Sequence, residues 1–293
     1  MTAREKRTKT KYEKKNGLTR EERPRRRPTA RQRRTRRIRS LLLGIFLGLC
    51  ICLLIFSVWK LASILLGYQS GEKEYKELRQ YVLEEPESPD AVLDGMSGEE
   101  EDGGEASVPM TRIDLDSLKA LNSDAVGWIE IPDTAISYPL VHTTDNTFYL
   151  THTFLKETNR SGSIFIENLN SADFTDLHTI IYGHNMKNGS MFAGLKEYDT
   201  QSYFEAHPYV YVDLADGSHC YQIFSCHEAA ETDITYTIGY QANDTYASFL
   251  ESLKSASLYD TGVDVSTDDS VITLSTCTKN GESRFVVHAK KLY

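Results

Sequence analysis

The chain has 293 residues, 33 Lys and Arg against 42 Asp and Glu, a formal charge of −9, 40% hydrophobic residues and five cysteines. That length holds one or two domains with a real core, and five cysteines are too few for a disulfide framework; their odd number also leaves at least one thiol without an intrachain partner. The mean charge hides a division that excludes a uniformly charged soluble protein: residues 1–40 carry 18 Lys and Arg against 4 Asp and Glu, or +14, and the other 253 carry 15 against 38, or −23.

The basic tail, residues 1–40, has no folding pattern of its own. An arm of this charge binds nucleic acid in some proteins. Here it reads instead as an orientation signal that touches anionic lipid, each basic side chain near the surface giving about 1 kcal/mol; no nucleic-acid partner is expected. Next comes LLLGIFLGLCICLLIFSVW, Leu41 to Trp59, which is 19 residues without a charge. At about 1.5 Å per residue a helix of that length spans roughly 28 Å, close to the hydrocarbon thickness of a bilayer. LASILLGY (61–68) can extend the helix, with the span itself reaching residue 66, if Lys60 snorkels to the interface, and Trp59 and Tyr68 suit that boundary. Arg33, Arg34, Arg36, Arg37 and Arg39 crowd the N-terminal flank. The positive-inside bias therefore puts residues 1–40 in the cytoplasm and the chain beyond residue 68 outside, on a single-pass cell-membrane anchor. The apolar run exceeds a signal-peptide core and no clear A-x-A-like site follows it, so an uncleaved signal anchor is expected.

Residues 69–110 turn acidic and small, a composition that buries too little apolar surface to offset its ordering entropy. GEKEYKELRQYVL at its start can form a short helix. As a coil of about 40 residues the stretch reaches roughly 35 Å, and it reads as a flexible linker. The rest, 111–293, is long enough for one well-buried domain. A short helix, IDLDSLKALN, opens it. Eight runs rich in β-branched and aromatic residues follow: 127–131, 136–142, 162–167, 178–184, 209–214, 219–229, 270–277 and 284–292. Turn signals such as Pro132-Asp133, Asp216-Gly217 and Asn280-Gly281 separate them. Helical spacing appears at 245–257 and more weakly at 191–198. Eight short strands with few helices predict a mainly β domain, a closed barrel or a sandwich.

The chemistry concentrates late in the chain. Cys220 and Cys226 lie six apart in one predicted strand; the even spacing puts them on one face about 20 Å apart, too far for a disulfide, and they read as small buried hydrophobes. Cys277 differs, because it ends the strand ITLSTC and a short polar loop leads to Arg284 at the start of the next. Pairing of these strands brings a thiol and a guanidinium together at a barrel rim, a setting that depresses a thiol pKa. Thr273, Ser275 and Cys277 share one face, and Arg284, Val286 and His288 share another. Eight histidines are available. His184 stands out past the apolar strand HTIIY and after Gly183, which lets the backbone turn. Neither H-E-x-x-H nor C-x-x-C occurs, so no metal is expected, and the absence of G-x-S-x-G weakens a serine hydrolase.

IIYGHNMKNGSMF (180–192), ITLSTC (272–277) and RFVVHAKKL (284–292), in that order behind an N-terminal anchor, resemble a sortase. The TLSTC form, the YGHNM…GSMF block and the helix-bearing insertion before the cysteine strand look most like class B. The resemblance covers about residues 111–293. It implies an eight-stranded sortase β-barrel with an N-terminal helix and a cysteine transpeptidase that needs no cofactor. By motif position Cys277 is the nucleophile, His184 the general acid/base and Arg284 the group steadying substrate and oxyanion. Ser275 matches a position that assists the site in class B members, and its bland alternative is an ordinary inward strand residue; His288 reads as structural. The resemblance further implies a sorting-signal peptide of Asn-Pro-x-Thr or Leu-Pro-x-Thr type as acyl donor. The implied acceptor is an amine of a cell-wall precursor, which would anchor surface proteins to peptidoglycan. A pilin lysine as acceptor, giving pilin polymerisation, and a catalytically inactive anchored barrel that only binds peptides are the alternatives.

Overall fold

An apolar run without a polar stripe has no face to offer water, and Leu41–Trp59 lies within one long helix, α1 (Ala30–Leu78). The computed structural model describes residues 29–84, 89, 92, 110–277 and 283–293, Cys277 through its backbone. The first 28 residues of the basic tail, most of the acidic stretch and residues 278–282 lie outside the described residues. The chain divides into two units, Met1–Ala62 and Ser63–Tyr293. In the first, Leu41, Leu47, Leu54 and Trp59 are each at least 60% exposed, and among the described residues α1 is the one helix long and apolar enough to cross a membrane.

The second unit starts with the short helix expected of GEKEYKELRQYVL, but as a docked continuation of α1 and not as part of a flexible linker: Gly71, Tyr75 and Leu78 fall on one helical face and are buried. The Tyr75 hydroxyl donates to the Gly162 carbonyl at 2.6 Å and accepts from the Phe154 N–H at 3.2 Å. Beyond the helix Val82 bridges Ile113, and Leu83 N donates to Arg112 O at 2.7 Å. Val92 is buried with Tyr211, Cys220 and Tyr293. A few apolar anchors thus dock parts of a segment whose average composition reads as coil.

The remaining elements are α2 (Leu115–Leu121), β1 (Ala125–Glu130), β2 (Ser137–Val141), β3 (Ile164–Ile166), β4 (His178–Tyr182), α3 (Gln201–Ala206), β5 (Tyr209–Asp213), β6 (Ser218–Ala229), α4 (Asp244–Ala256), β7 (Val271–Cys277) and β8 (Arg284–Lys291). Among the described residues the eight strands close a barrel in the order β1-β2-β3-β4-β7-β8-β6-β5. The β2·β3 and β4·β7 pairs are parallel and the others antiparallel. Every predicted run forms a strand, each trimmed by no more than two residues at an end or lengthened by as many. Ile181, Ile272, Leu274, Val287 and Ala289 fill the interior. The outer face of the same strands is not left to solvent. Tyr246, Phe249, Leu250 and Leu253 of α4, capped by Asn243, pack over Phe224 and Val271 there.

Two further details correct simple alternation. A register shift between Ile223 and Ser225 in β6 puts Cys226 in the barrel core and Cys220 in the separate outer cluster, so the two buried thiols do not share a face. Arg112, 6% exposed, anchors the chain ahead of α2: its Nη2 meets Asp213 Oδ2 at 2.6 Å and its Nη1 meets Glu130 Oε2 at 3.1 Å.

Candidate active site

Strand register brings the late motifs together. Antiparallel pairing sets Thr273 opposite His288, Ser275 opposite Val286 and Cys277 opposite Arg284. On the other side β4 runs parallel to β7 with Tyr182 level with Ser275, and Gly183 N donates to Ser275 O at 3.1 Å. His184 follows directly, so the backbones carrying His184, Cys277 and Arg284 lie side by side at one end of three adjacent strands.

His184 is held from several directions. Its ring Nε2 lies 2.7 Å from the Leu150 carbonyl. A carbonyl only accepts, so Nε2 carries the hydrogen and proton exchange is left to Nδ1. Its own carbonyl accepts from Phe192 N at 3.0 Å, and an Asn185–Met191 bridge closes the loop behind it. Met191 sits at φ +58°, ψ −132°, a conformation that costs a side-chain-bearing residue on the order of 1–3 kcal/mol. Complete burial of Met191 and a 2.9 Å bond from its N–H to the Tyr138 hydroxyl hold it there.

Glycines seat the ring. Gly162 has φ +57°, and a Cβ on it would lie 2.5 Å from the Tyr149 carbonyl oxygen and 3.0 Å from the His184 ring. Gly183 serves space rather than turning, contrary to the sequence reading. Its φ lies outside the left-handed region, and a Cβ there would meet Ile164 at 2.5 Å and the Phe192 ring at 2.7 Å.

A cleft of about 210 Å³ opens between these residues, lined by Leu150, Tyr182, His184, Ser275 and Arg284 among others. Ser275 faces the cleft and the insertion, not the barrel core, and its Oγ lies 2.9 Å from the Tyr236 hydroxyl. Tyr236 stacks on Tyr182 with ring centroids 6.4 Å apart at 12°. The Tyr182 hydroxyl donates to Glu167 Oε2 at 2.8 Å, and Asn146 Nδ2 donates to Glu167 Oε1 at 2.7 Å. Burial and then the Glu167 charge push the Tyr182 pKa up, so it stays a neutral donor. Arg284 Nη2 contacts Glu231 Oε1 at 2.6 Å, the two side chains being 26% and 61% exposed. A pair that exposed adds little stability, so its effect is to direct the guanidinium. A wider groove, about 1550 Å³, opens beside this line along Asn185, Lys187, Glu197, Glu228 and Phe285.

Among the described residues no group of three or more His, Cys, Asp or Glu is arranged to hold a metal ion. His288 is buried against Thr273, away from the cleft. Sequence reasoning missed Leu150, Glu231 and Tyr236. Nothing in a sequence marks a backbone carbonyl as a histidine's partner, and insertion residues carry no periodicity. Tyr182 was accessible, since it alternates with Ile180 and His178 on the face of Ser275.

The barrel rim thus brings together the backbone of a strand-end cysteine, a fixed histidine and a cleft-facing arginine. A family model of the sortase domain matches residues 129–292. The chain is 34% identical over 236 residues to sortase B of Listeria monocytogenes, covering 79% of this chain and 90% of that protein. The structure resembles a Staphylococcus aureus sortase B–substrate complex with a TM-score of 0.65 at 29% identity, covering 78% of this chain and 98% of that one. It resembles sortase B of Bacillus anthracis in complex with AAEK1 equally, at 0.65 and 30% identity, over 78% and 99%. The chain belongs to the sortase family. Within it the relatives are class B, and the activity is that of a cysteine transpeptidase.

Proposed function

We propose that Cys277 is the nucleophile, His184 the general acid/base and Arg284 the carbonyl-binding cation, with Ser275 supporting the cleft. The observation that carries this reading is the register that opposes Cys277 to Arg284 while β4 delivers His184 alongside. The Cys277 thiolate attacks the carbonyl carbon of the Thr in a sorting signal. Arg284 donates N–H groups to the oxygen as negative charge develops, an interaction whose loss typically costs roughly 3 kcal/mol. The C–N bond breaks as His184, protonated at Nδ1, delivers that proton to the leaving amine. A thioester remains. An incoming amine then attacks it and gives its proton back to His184, and the thiolate leaves as the new amide forms.

The acyl donor is assigned to the cleft beside Ser275, with an Asn-Pro-x-Thr or Leu-Pro-x-Thr signal. The acceptor is a cell-wall precursor amine, and the wider groove, where Glu197, Asp199 and Glu228 outnumber Lys187 and Lys196, suits an ammonium. The positive-inside bias of the residues before the apolar run supports a cytoplasmic 1–40 and a barrel at the outer surface, where secreted donors and lipid-linked acceptors meet.

The test uses the full-length chain in detergent with quenched peptides of both motifs, with and without an added amine. Cleavage of one motif that disappears in Cys277→Ala, and that the amine diverts into an amide product, is the expected result. Cleavage that survives in Cys277→Ala would overturn the assignment of the nucleophile.

A further inference from the structure

Three histidines that the transfer reaction does not use lie buried on the outer barrel face below Ser275: His178 on β4, His288 on β8 and His227 on β6. Two of them form a hydrogen-bond chain with a single direction. His178 Nδ1 lies 2.8 Å from the Thr237 carbonyl, which can only accept, so Nδ1 carries the hydrogen. Burial lowers the His178 pKa to about 4, so the neutral ring has an accepting Nε2 at pH 7. The Thr273 hydroxyl, 2.7 Å away, therefore donates to Nε2. Its oxygen in turn accepts from His288 Nδ1 at 2.8 Å. The chain runs from His288 through Thr273 and His178 and ends on the backbone of the insertion.

Thr237 closes a short segment whose other residues reach the cleft. Glu231 binds Arg284, and Tyr236 touches Ser275 and stacks on Tyr182. Between them a 3-10 turn, Ile234–Tyr236, is capped by Asp233. Thr235 is buried with its Oγ1 3.5 Å from His227 Nε2, a long contact beside the 2.8 Å bond at Thr237. The segment is thus tied to the barrel at two neighbouring points, Thr237 to His178 at 2.8 Å and Tyr236 to Ser275 at 2.9 Å.

We propose that His178 and Thr273 are positioning residues for the transpeptidase: by clamping the Thr237 carbonyl they hold Tyr236 against Ser275, and so fix the insertion-side wall of the acyl cleft. The inference rests on the assignment of that cleft to the acyl donor. Thr273→Val removes the hydroxyl at constant volume and leaves an N–H of His288 and a lone pair of His178 without a partner in a buried site. Thr273→Ser keeps the hydroxyl.

The experiment compares Thr273→Val, Thr273→Ser and His178→Phe with the unaltered full-length chain in detergent, by amide hydrogen exchange and by peptide-cleavage kinetics. Where Thr273→Val does not fold, His178→Phe carries the test, because a phenyl ring fills the same space beside Phe249, whose ring lies 4.9 Å away. The exchange reporters are the amides of Tyr236 and Thr237, bonded to the Asp233 and Ile234 carbonyls. Loss of the clamp should speed their exchange about tenfold or more while core strands stay protected. It should raise KM about tenfold and leave kcat within about threefold, the signature of lost ground-state binding. Thr273→Ser should match the unaltered chain on both readouts. Unchanged exchange or unchanged KM in a folded variant would overturn the proposal, as would a Thr273→Ser protein as impaired as Thr273→Val. The exchange readout needs no turnover, so an unaltered chain that cleaves no peptide would overturn the cleft assignment while exchange still decides the clamp.

Discussion

At Gly162 and Arg284 single atoms decide the geometry. A methyl group at Gly162 meets a backbone oxygen at 2.5 Å, which cannot swing aside as a side chain could, and the left-handed φ of +57° adds roughly 1–2 kcal/mol for any other L residue. Gly162→Ala should therefore displace the Tyr149–Leu150 backbone from the His184 ring and cut kcat/KM by about tenfold or more, measured on a cleaved peptide. Arg284→Lys keeps the charge but loses the planar fork that faces Glu231 on one side and the cleft on the other. A loss of about 10²-fold in kcat/KM is expected, and activity within threefold of the unaltered chain would show that a point charge suffices. The meeting of Cys277 and Arg284 on paired strands at one barrel end was legible in the sequence, because a strand end and a short intervening loop leave marks on it, whereas His184 needed the family resemblance to single it out. The partners that aim them, Leu150 O and Glu231, were not, because they depend on which loop the fold lays beside the rim.

Strands read well for a physical reason: each buries β-branched or aromatic residues on a barrel wall, and turn residues mark the gaps. Two elements escaped. The shift in β6 inserts a residue where alternation alone predicts one continuous face, and the tail of α1 hides three buried positions inside an acidic stretch. Arg112 is a third case, a lone charge in sequence that becomes a buried anchor between β1 and β5 in the fold. Removing it leaves Asp213, whose side chain is 1% exposed, as an uncompensated buried anion. Arg112→Ala should then cost about 3–5 kcal/mol, read as a fall in Tm or in denaturant midpoint. A change within about 0.5 kcal/mol would mean that water or a shifted neighbour replaces the guanidinium.

For the molecule as a whole the buried histidines predict acid lability. Burial lowers the pKa of His178 to about 4, and those of His227 and His288 shift in the same direction. The unfolded chain binds protons near the ordinary histidine value of about 6.5 while the folded chain resists them, so stability is complete above that pH and declines as pH falls toward 4. His178 alone accounts for something on the order of 3 kcal/mol across that window. Thermal melts between pH 7 and 4.5 should show Tm falling, and His178→Phe should flatten the dependence. A Tm that rises on acidification would assign the sign to other groups.

The position of β8 has a consequence for how the enzyme is made. It is the last strand in chain order, yet it lies between β7 and β6 and is the piece that shuts the barrel. Until it has been synthesised and threaded between its neighbours, Cys277 has no Arg284 opposite it and the barrel stays open. A ribosome working from the N-terminus thus delivers β7 before the strand that pairs with it on its open side. Barrel closure, and with it the opposition of Cys277 and Arg284, therefore comes last in biosynthetic order.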